Sequence, residues 1–324
     1  MLFWSCAVNY PGIHLVEQAP LEDVDVRLFL IGDTGAPDPD FEPVLVSLES
    51  QISKDPLKSV VVFLGDNVYP SGLPLSSDPD WAEARRRLDV QIELLRTNKV
   101  KGIFIPGNHD WDKYGLEGWK AIVRQEHFIK NNSKGYALLL PGGGCPGPVV
   151  MDVGETLRLV ILDTQWWLHT KSKPLGPSSD CSAASEAQVI NLLRKALHEA
   201  GSRKVVVAMH HPLQTGGKHG GYFKWHHHIF PLRELKSWLW IPLPILGSVY
   251  PIARKSGISR QDLSSRAYSA MRESLRKVFI ENPPLGVAAG HEHNLQVLHG
   301  ESSRYLLISG AGYMGHVSSP HWLK

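Results

Sequence analysis

Cysteine is scarce in this chain. Three occur in 324 residues, Cys6, Cys145 and Cys181, and none has a C-x-x-C spacing. Thiolate metal sites such as zinc fingers and iron–sulfur centres are therefore excluded, and so is a full disulfide framework. One bridge, Cys145 to Cys181, stands against two free thiols, since both lie in Gly/Pro/Ser-rich loops. No apolar run reaches the roughly 18 residues of a membrane-spanning helix. Neither sign of charge dominates: the formal net charge is +2, so no general attraction to nucleic acid follows. With 43% apolar and 20% charged residues, a chain of this length can bury the core of one large α/β domain or two small ones.

The N-terminus, Met1-Leu2-Phe3-Trp4-Ser5-Cys6-Ala7, has no basic region and is too short for a complete signal peptide. An apolar run ending in Ser-Cys and followed by a Pro/Gly linker is similar to the tail of a bacterial lipoprotein signal. Residues 1–24 are thus expected to be a linker, and Cys6 the lipidated residue if the true start lies upstream. The location would then be extracytoplasmic or membrane-anchored, and otherwise cytoplasmic.

Histidine, by contrast, is plentiful, with sixteen. Several sit in short polar blocks, each following a stretch that reads as a buried strand. The blocks are Gly32-Asp33-Thr34-Gly35, Gly65-Asp66-Asn67-Val68-Tyr69, Gly107-Asn108-His109-Asp110, Val207-Ala208-Met209-His210 and Gly290-His291-Glu292-His293. The runs at 26–31, 59–64 and 102–105, separated by helices at about 43–53 and 81–98, predict right-handed crossovers and a largely parallel sheet. In such a sheet the site lies beyond the carboxyl ends of the strands. The second half predicts a hairpin at 149–153 and 157–162, a helix at 185–200, strands at 204–209 and 285–289, and a closing hairpin at 295–298 and 305–308. The stretch 213–257 fits no regular element, and Pro242 and Pro244 argue against a helix through Trp238–Leu246. A long irregular insertion is usually functional. It is expected to be a lid or wall beside the site, or a membrane contact through 238–246 flanked by Lys236, Arg254 and Lys255.

The blocks supply two Asp, one Tyr, one Asn and three His, an oxygen and nitrogen set suited to two metal ions. Two metals roughly 3.5–4 Å apart can bring a nucleophile against a phosphate ester and stabilise the leaving oxygen. Asp66 is the natural bridging carboxylate, Asp33 would hold the first ion, and the neutral Asn108 the second. In an extended His291-x-His293 segment the side chains point opposite ways, so each would serve one metal.

Taken together the blocks resemble the calcineurin-type metallophosphoesterase superfamily and, within it, the purple acid phosphatase branch. The branch is similar in carrying a glycine, here Gly35, where most relatives place a metal-binding histidine, and a tyrosine three residues after the bridging aspartate, here Tyr69. The resemblance covers Asp33 to His293. It implies an α/β sandwich of two mixed sheets flanked by helices, over residues 25–324, with a dinuclear site at the carboxyl ends of strands. Asp33, Asp66, Tyr69 and His293 would hold Fe(III). Asp66, Asn108, His210 and His291 would hold Fe(II), Zn(II) or Mn(II). His109 would contact phosphate and protonate the leaving group, with Asn108 beside it in substrate binding, while a hydroxide held by the metals attacks phosphorus. His211 and His219 are weaker candidates for substrate contact. The choice of His210 over His211 rests on the resemblance.

Several residues also have a plainer reading. Tyr69 alone could be a packed aromatic. Asp110, Asp112, Asp163 and Glu292 read as supporting rather than ligating groups. The run His226-His227-His228 reads as a solvated loop, or else as a substrate or adventitious metal contact. The expected substrate is a phosphate monoester, with no nucleic-acid partner. A phosphodiesterase or nuclease on the same centre competes, as does a non-catalytic interaction module, which would predict eroded ligands.

Overall fold

The computed structural model describes residues 23–313 apart from 114, 235 and 237. Cys6 and nearly all of the expected N-terminal linker lie outside the described residues.

The first half is a repeating strand–helix unit: β1 (Arg27–Ile31), α1 (Pro43–Ile52), β2 (Ser59–Phe63), α2 (Trp81–Asn98), β3 (Lys101–Phe104), α3 (Gly118–Asn132) and β4 (Ala137–Leu139). Each helix returns the chain to the same edge, so all four strands are parallel, in the order β1-β2-β3-β4. The expected mixed character belongs to the other sheet alone. Its elements are β5 (Val149–Val153), β6 (Leu157–Ile161), α4 (Thr164–Leu168), α5 (Glu186–His198), β7 (Lys204–Ala208), α6 (Trp225–Ile229), α7 (Leu246–Lys255), α8 (Arg266–Glu281), β8 (Gly286–Ala289), β9 (Leu295–Leu298) and β10 (Tyr305–Ser309). The sheet order is β5-β6-β7-β8-β10-β9, with the outer pairs β5–β6 and β9–β10 antiparallel. Both predicted hairpins are those pairs.

Alternation along the strands separates two cores. Val62, Leu64, Ile103, Ile105, Leu159, Ile161, Val206 and Ala208 face the space between the sheets. Their neighbours Val61, Phe63, Phe104, Val160, Val205 and Val207 pack with helix residues such as Leu88, Leu95, Val189 and Leu275. A strand buried on both faces needs apolar residues at every position, which is why these runs showed no period of two.

The stretch 213–257 is not irregular throughout. It carries α6, α7 and two single 3-10 turns at Lys218–Gly220 and Pro231–Glu234. Pro242 and Pro244 do stay outside any helix, whereas Pro251 sits inside α7. Cys145 and Cys181, on loops before β5 and before α5, form a disulfide with their Cα atoms 5.5 Å apart. Among the described residues no helix is long and apolar enough to cross a membrane.

Candidate metal centre

Strand ends from both sheets converge on one point. Asp33, Asp66 and Asn108 lie on the loops leaving β1, β2 and β3, and His210 and His291 on those leaving β7 and β8. Among the hydrogen bonds that stitch the seam, three lie next to these residues. Gly32 N donates to Ser309 O at 2.6 Å, His291 N to Asp33 Oδ2 at 2.8 Å, and His210 Nδ1 to Leu64 O at 2.8 Å. Gly65 is needed here: its φ is 94°, and a Cβ would come within 2.5 Å of His210 Nδ1. Asp33, Asp66 and His291 themselves adopt positive φ, 59°, 55° and 68°, a region seldom taken by non-glycine residues and often by functional ones.

One group of donors forms around Tyr69. Its Oη lies 3.0 Å from Asp33 Oδ1, 3.2 Å from Asp66 Oδ2 and 3.2 Å from His293 Nε2, and Nε2 is 3.3 Å from Asp33 Oδ1. Two carboxylates, a phenol and an imidazole converging at this range form an oxygen and nitrogen set that suits a cation. Burial, with the charges of Asp33 and Asp66 behind it, drives the phenol well above its ordinary range. Burial lowers His293, yet the hydrogen bond and charge of Asp33 prevail and raise it.

The second group is buried at the floor of the site. Leu64 O and Gln261 O can only accept, so His210 Nδ1 and His291 Nε2 must carry the protons, the latter over 2.9 Å. The other ring nitrogens then present lone pairs, and both lie 3.0 Å from Asn108 Oδ1. His210 Nε2 is also 3.5 Å from Asp66 Oδ1. Three or four acceptors facing one another without a proton again fit a cation. Burial, reinforced by the neighbouring histidines, keeps His291 neutral, the form that ligates. His291 turns with positive φ rather than running extended, which corrects the premise of the sequence reading. The two rings of 291 and 293 nevertheless diverge, one to each group.

The sequence pattern of the calcineurin-like phosphoesterases matches residues 26–295. The chain belongs to that family. Membership supports a metal-dependent phosphoesterase and implies a dinuclear metal centre, for which the two donor groups are the candidates. No curated protein sequence matches this phosphoesterase. Among solved structures, GAP50, the anchor in the inner membrane complex of Plasmodium, is 13% identical. It covers 91% of this chain and 76% of its own, with a TM-score of 0.52. A dimetal phosphatase from Danio rerio is 16% identical, covering 92% and 90%, with a TM-score of 0.49.

Around the ligand atoms of this phosphoesterase lies a cavity of about 380 Å³, walled by Asn108, His109, Lys113, His219, Arg254, Ser259, Gln261 and His293 among others. His109 Nδ1 donates to Pro70 O at 2.6 Å, leaving Nε2 toward the centre, 3.9 Å from Asp66 Oδ2. His219 lines the cavity, with Nδ1 held by Asp262 and by Gln261 O. His211 does not. It is wholly buried, with Nδ1 bonded to Thr164 Oγ1 at 2.8 Å and Nε2 to Gln261 Oε1 at 2.7 Å, so its expected contact with substrate is corrected to a packing role.

Asp110 accepts from Gly107, Asn67, Val68 and Gln125 and ties the second block to the third. Burial and the charge of Asp66 push it upward against those donors. Burial likewise raises Asp163 to about 7, despite hydrogen bonds from Trp111 and the Trp166 amide. Glu292 accepts from Thr215, Lys218 N and His219 N, fastening the insertion to the centre.

Lys113, Arg254, Ser259 and Gln261 escaped the sequence reading as site residues. Arg254 had been placed with the outward cations of the insertion. It is instead directed into the cavity, gripped by Asp262. The helical period of α7 was the signal that could have found it.

Proposed function

We propose that the chain is a phosphomonoesterase of the purple acid phosphatase branch. Asp33, Asp66, Tyr69 and His293 would hold Fe(III), and Asp66, Asn108, His210 and His291 a divalent Fe, Zn or Mn ion. The branch reading is carried by Tyr69 together with Gly35. A Cβ at position 35 would lie 2.5 Å from Val68 N and 2.6 Å from Asp66 O, both rigid backbone atoms. A histidine there has no room, and the phenol oxygen takes its place among the donors. A phenolate beside two carboxylates favours a hard trivalent ion.

Two bound ions would lower the pKa of the attacking water and offset charge on the phosphoryl oxygens. The chain's own groups do the rest. With Nδ1 fixed on Pro70 O, only His109 Nε2 can pass a proton to the leaving oxygen. Lys113 and Arg254 bring an ammonium and a guanidinium to the cavity wall, donors suited to the non-bridging oxygens of a phosphate ester. The pairing with Asp262 holds the Arg254 fork in one orientation. The Cys145–Cys181 bridge supports an extracytoplasmic location, since reducing compartments keep such thiols free.

The test is metal content and visible absorption of the purified protein, followed by hydrolysis of p-nitrophenyl phosphate and of bis-p-nitrophenyl phosphate. The expected result is one iron per centre with a tyrosinate charge-transfer band that Tyr69→Phe abolishes, and a preference for the monoester. Protein without iron, with activity indifferent to Tyr69→Phe, would sink the branch assignment. Full metal occupancy with no activity on either ester would favour the non-catalytic module.

A further inference from the structure

The insertion shows solvent an apolar surface with a basic margin. Trp225, Trp238, Trp240, Ile241, Ile245, Val249, Tyr250 and Ile252 are exposed, Trp238 to 69% and Ile245 to 83%. The patch is continuous. Trp225 and Trp240 both meet Phe230 edge-on, Arg233 lies over the Trp240 ring, and Leu243 N donates to Ile229 O. At about 100° per residue, Ile245, Val249 and Ile252 fall on one side of α7, while the buried Gly247 and Pro251 and the cavity residue Arg254 fall on the other. One helix therefore faces the catalytic cavity with one side and water with its aliphatic side.

The charge of the segment identifies what fits it. Between residues 213 and 257 six of the seven charged side chains are Lys or Arg, and Lys224, Lys236 and Lys255 are exposed. A protein partner is ordinarily met by mixed charge around an apolar centre. Indole, tyrosine and aliphatic groups ringed by lysines instead match the boundary of an anionic bilayer, where aromatic rings sit at headgroup depth and cations meet lipid phosphates.

We propose that the surface formed by α6, the 238–245 loop and the outer side of α7 docks on anionic lipid bilayers. Docking would hold the cavity, one helix thickness away, close to phosphate esters at the membrane surface. That consequence rests on the reaction proposed above, whereas the docking does not.

The experiment is flotation of the full chain with vesicles of phosphatidylcholine plus phosphatidylglycerol, against phosphatidylcholine alone, at low and high salt. Expected is salt-sensitive flotation with the anionic vesicles only. Trp238→Ser/Trp240→Ser/Ile245→Ser should abolish it while melting temperature and p-nitrophenyl phosphate hydrolysis stay unchanged, since these side chains are exposed and outside the cavity. Lys236→Ala/Lys255→Ala should weaken it about 25-fold, roughly fivefold per cation. No flotation of the wild-type chain, or equal flotation of the triple variant, overturns the proposal. If the wild type fails to float and the triple variant turns a dimer into a monomer, the surface belongs to a second copy. If the wild type fails to float and the variant melts lower, it is covered by the chain itself.

Discussion

The two halves of the candidate centre share Asp66 and differ in almost everything else. Around Tyr69 the donors are two carboxylates, a phenol and one imidazole, with Tyr69 and His293 partly open to solvent. Around Asn108 they are a neutral amide and two imidazoles, all buried. The anionic half would suit an ion of higher charge, while the neutral half would leave an ion more of its positive charge toward an incoming anion. Each imidazole of the neutral half is also oriented by a backbone carbonyl, His210 by Leu64 O across the seam between the sheets and His291 by Gln261 O from the loop before α8, so neither ring tilts without breaking a hydrogen bond.

The strongest test of this division is its shared member. Asp66→Asn keeps a side chain that tolerates the left-handed backbone at 66, and should empty both metal positions and lower kcat/KM by more than about 10⁶-fold. Elemental analysis that finds one ion retained would show that the halves do not meet at Asp66. His109→Ala belongs to neither half and should slow turnover by about 10²–10⁴-fold with two metals per chain still present. A loss of metal in parallel with activity would move His109 into the ligand set. Asn108→Ala should weaken the second ion alone, by about 10–100-fold, which titration of metal-stripped protein can measure. Arg254→Ala should raise KM by about 10–100-fold, as expected for one charge-assisted hydrogen bond of about 1.5–3 kcal/mol, with kcat little changed. A fall in kcat at constant KM would instead place the guanidinium against the transition state alone. Farthest from the centre, Cys181→Ser opens a bridge between residues 36 apart and should remove about 4 kcal/mol of stability by chain entropy. Denaturant unfolding is the readout, and activity should be unaltered.

The donors were legible in sequence because each terminates a fully buried strand. An apolar run followed by Gly-Asp, Gly-Asn-His or a histidine reports both the element and its polar end. The walls of the cavity carry no such mark. Lys113, Ser259 and Gln261 reach the centre from loops, and only the packing of the second sheet brings 113 and 259 together. Arg254 follows an apolar stretch, and only the rotation of α7, which sets residues nine apart on opposite sides, separates it from the exposed Ile245. Helix α8 had Tyr268, Met271, Leu275 and Val278 buried at helical spacing after a Ser265 cap, a signal present but not exploited. Strand β4 is three residues long, too short for any periodicity to register. Spacing alone does not separate His210 from His211; the choice rests on the resemblance, and the physical difference is that both ring nitrogens of His211 are engaged by Thr164 and Gln261.

The closed space at Gly35 has a consequence for evolvability and engineering. Exchange of Gly35 for histidine would not bring an imidazole into the donor set, because the β2 loop backbone occupies the volume of the first side-chain atom. Conversion would require the 66–68 backbone to withdraw, and that backbone carries Asp66 and is anchored by Asp110. The closed volume at Gly35 is therefore a property of the main chain, out of reach of any single side-chain exchange.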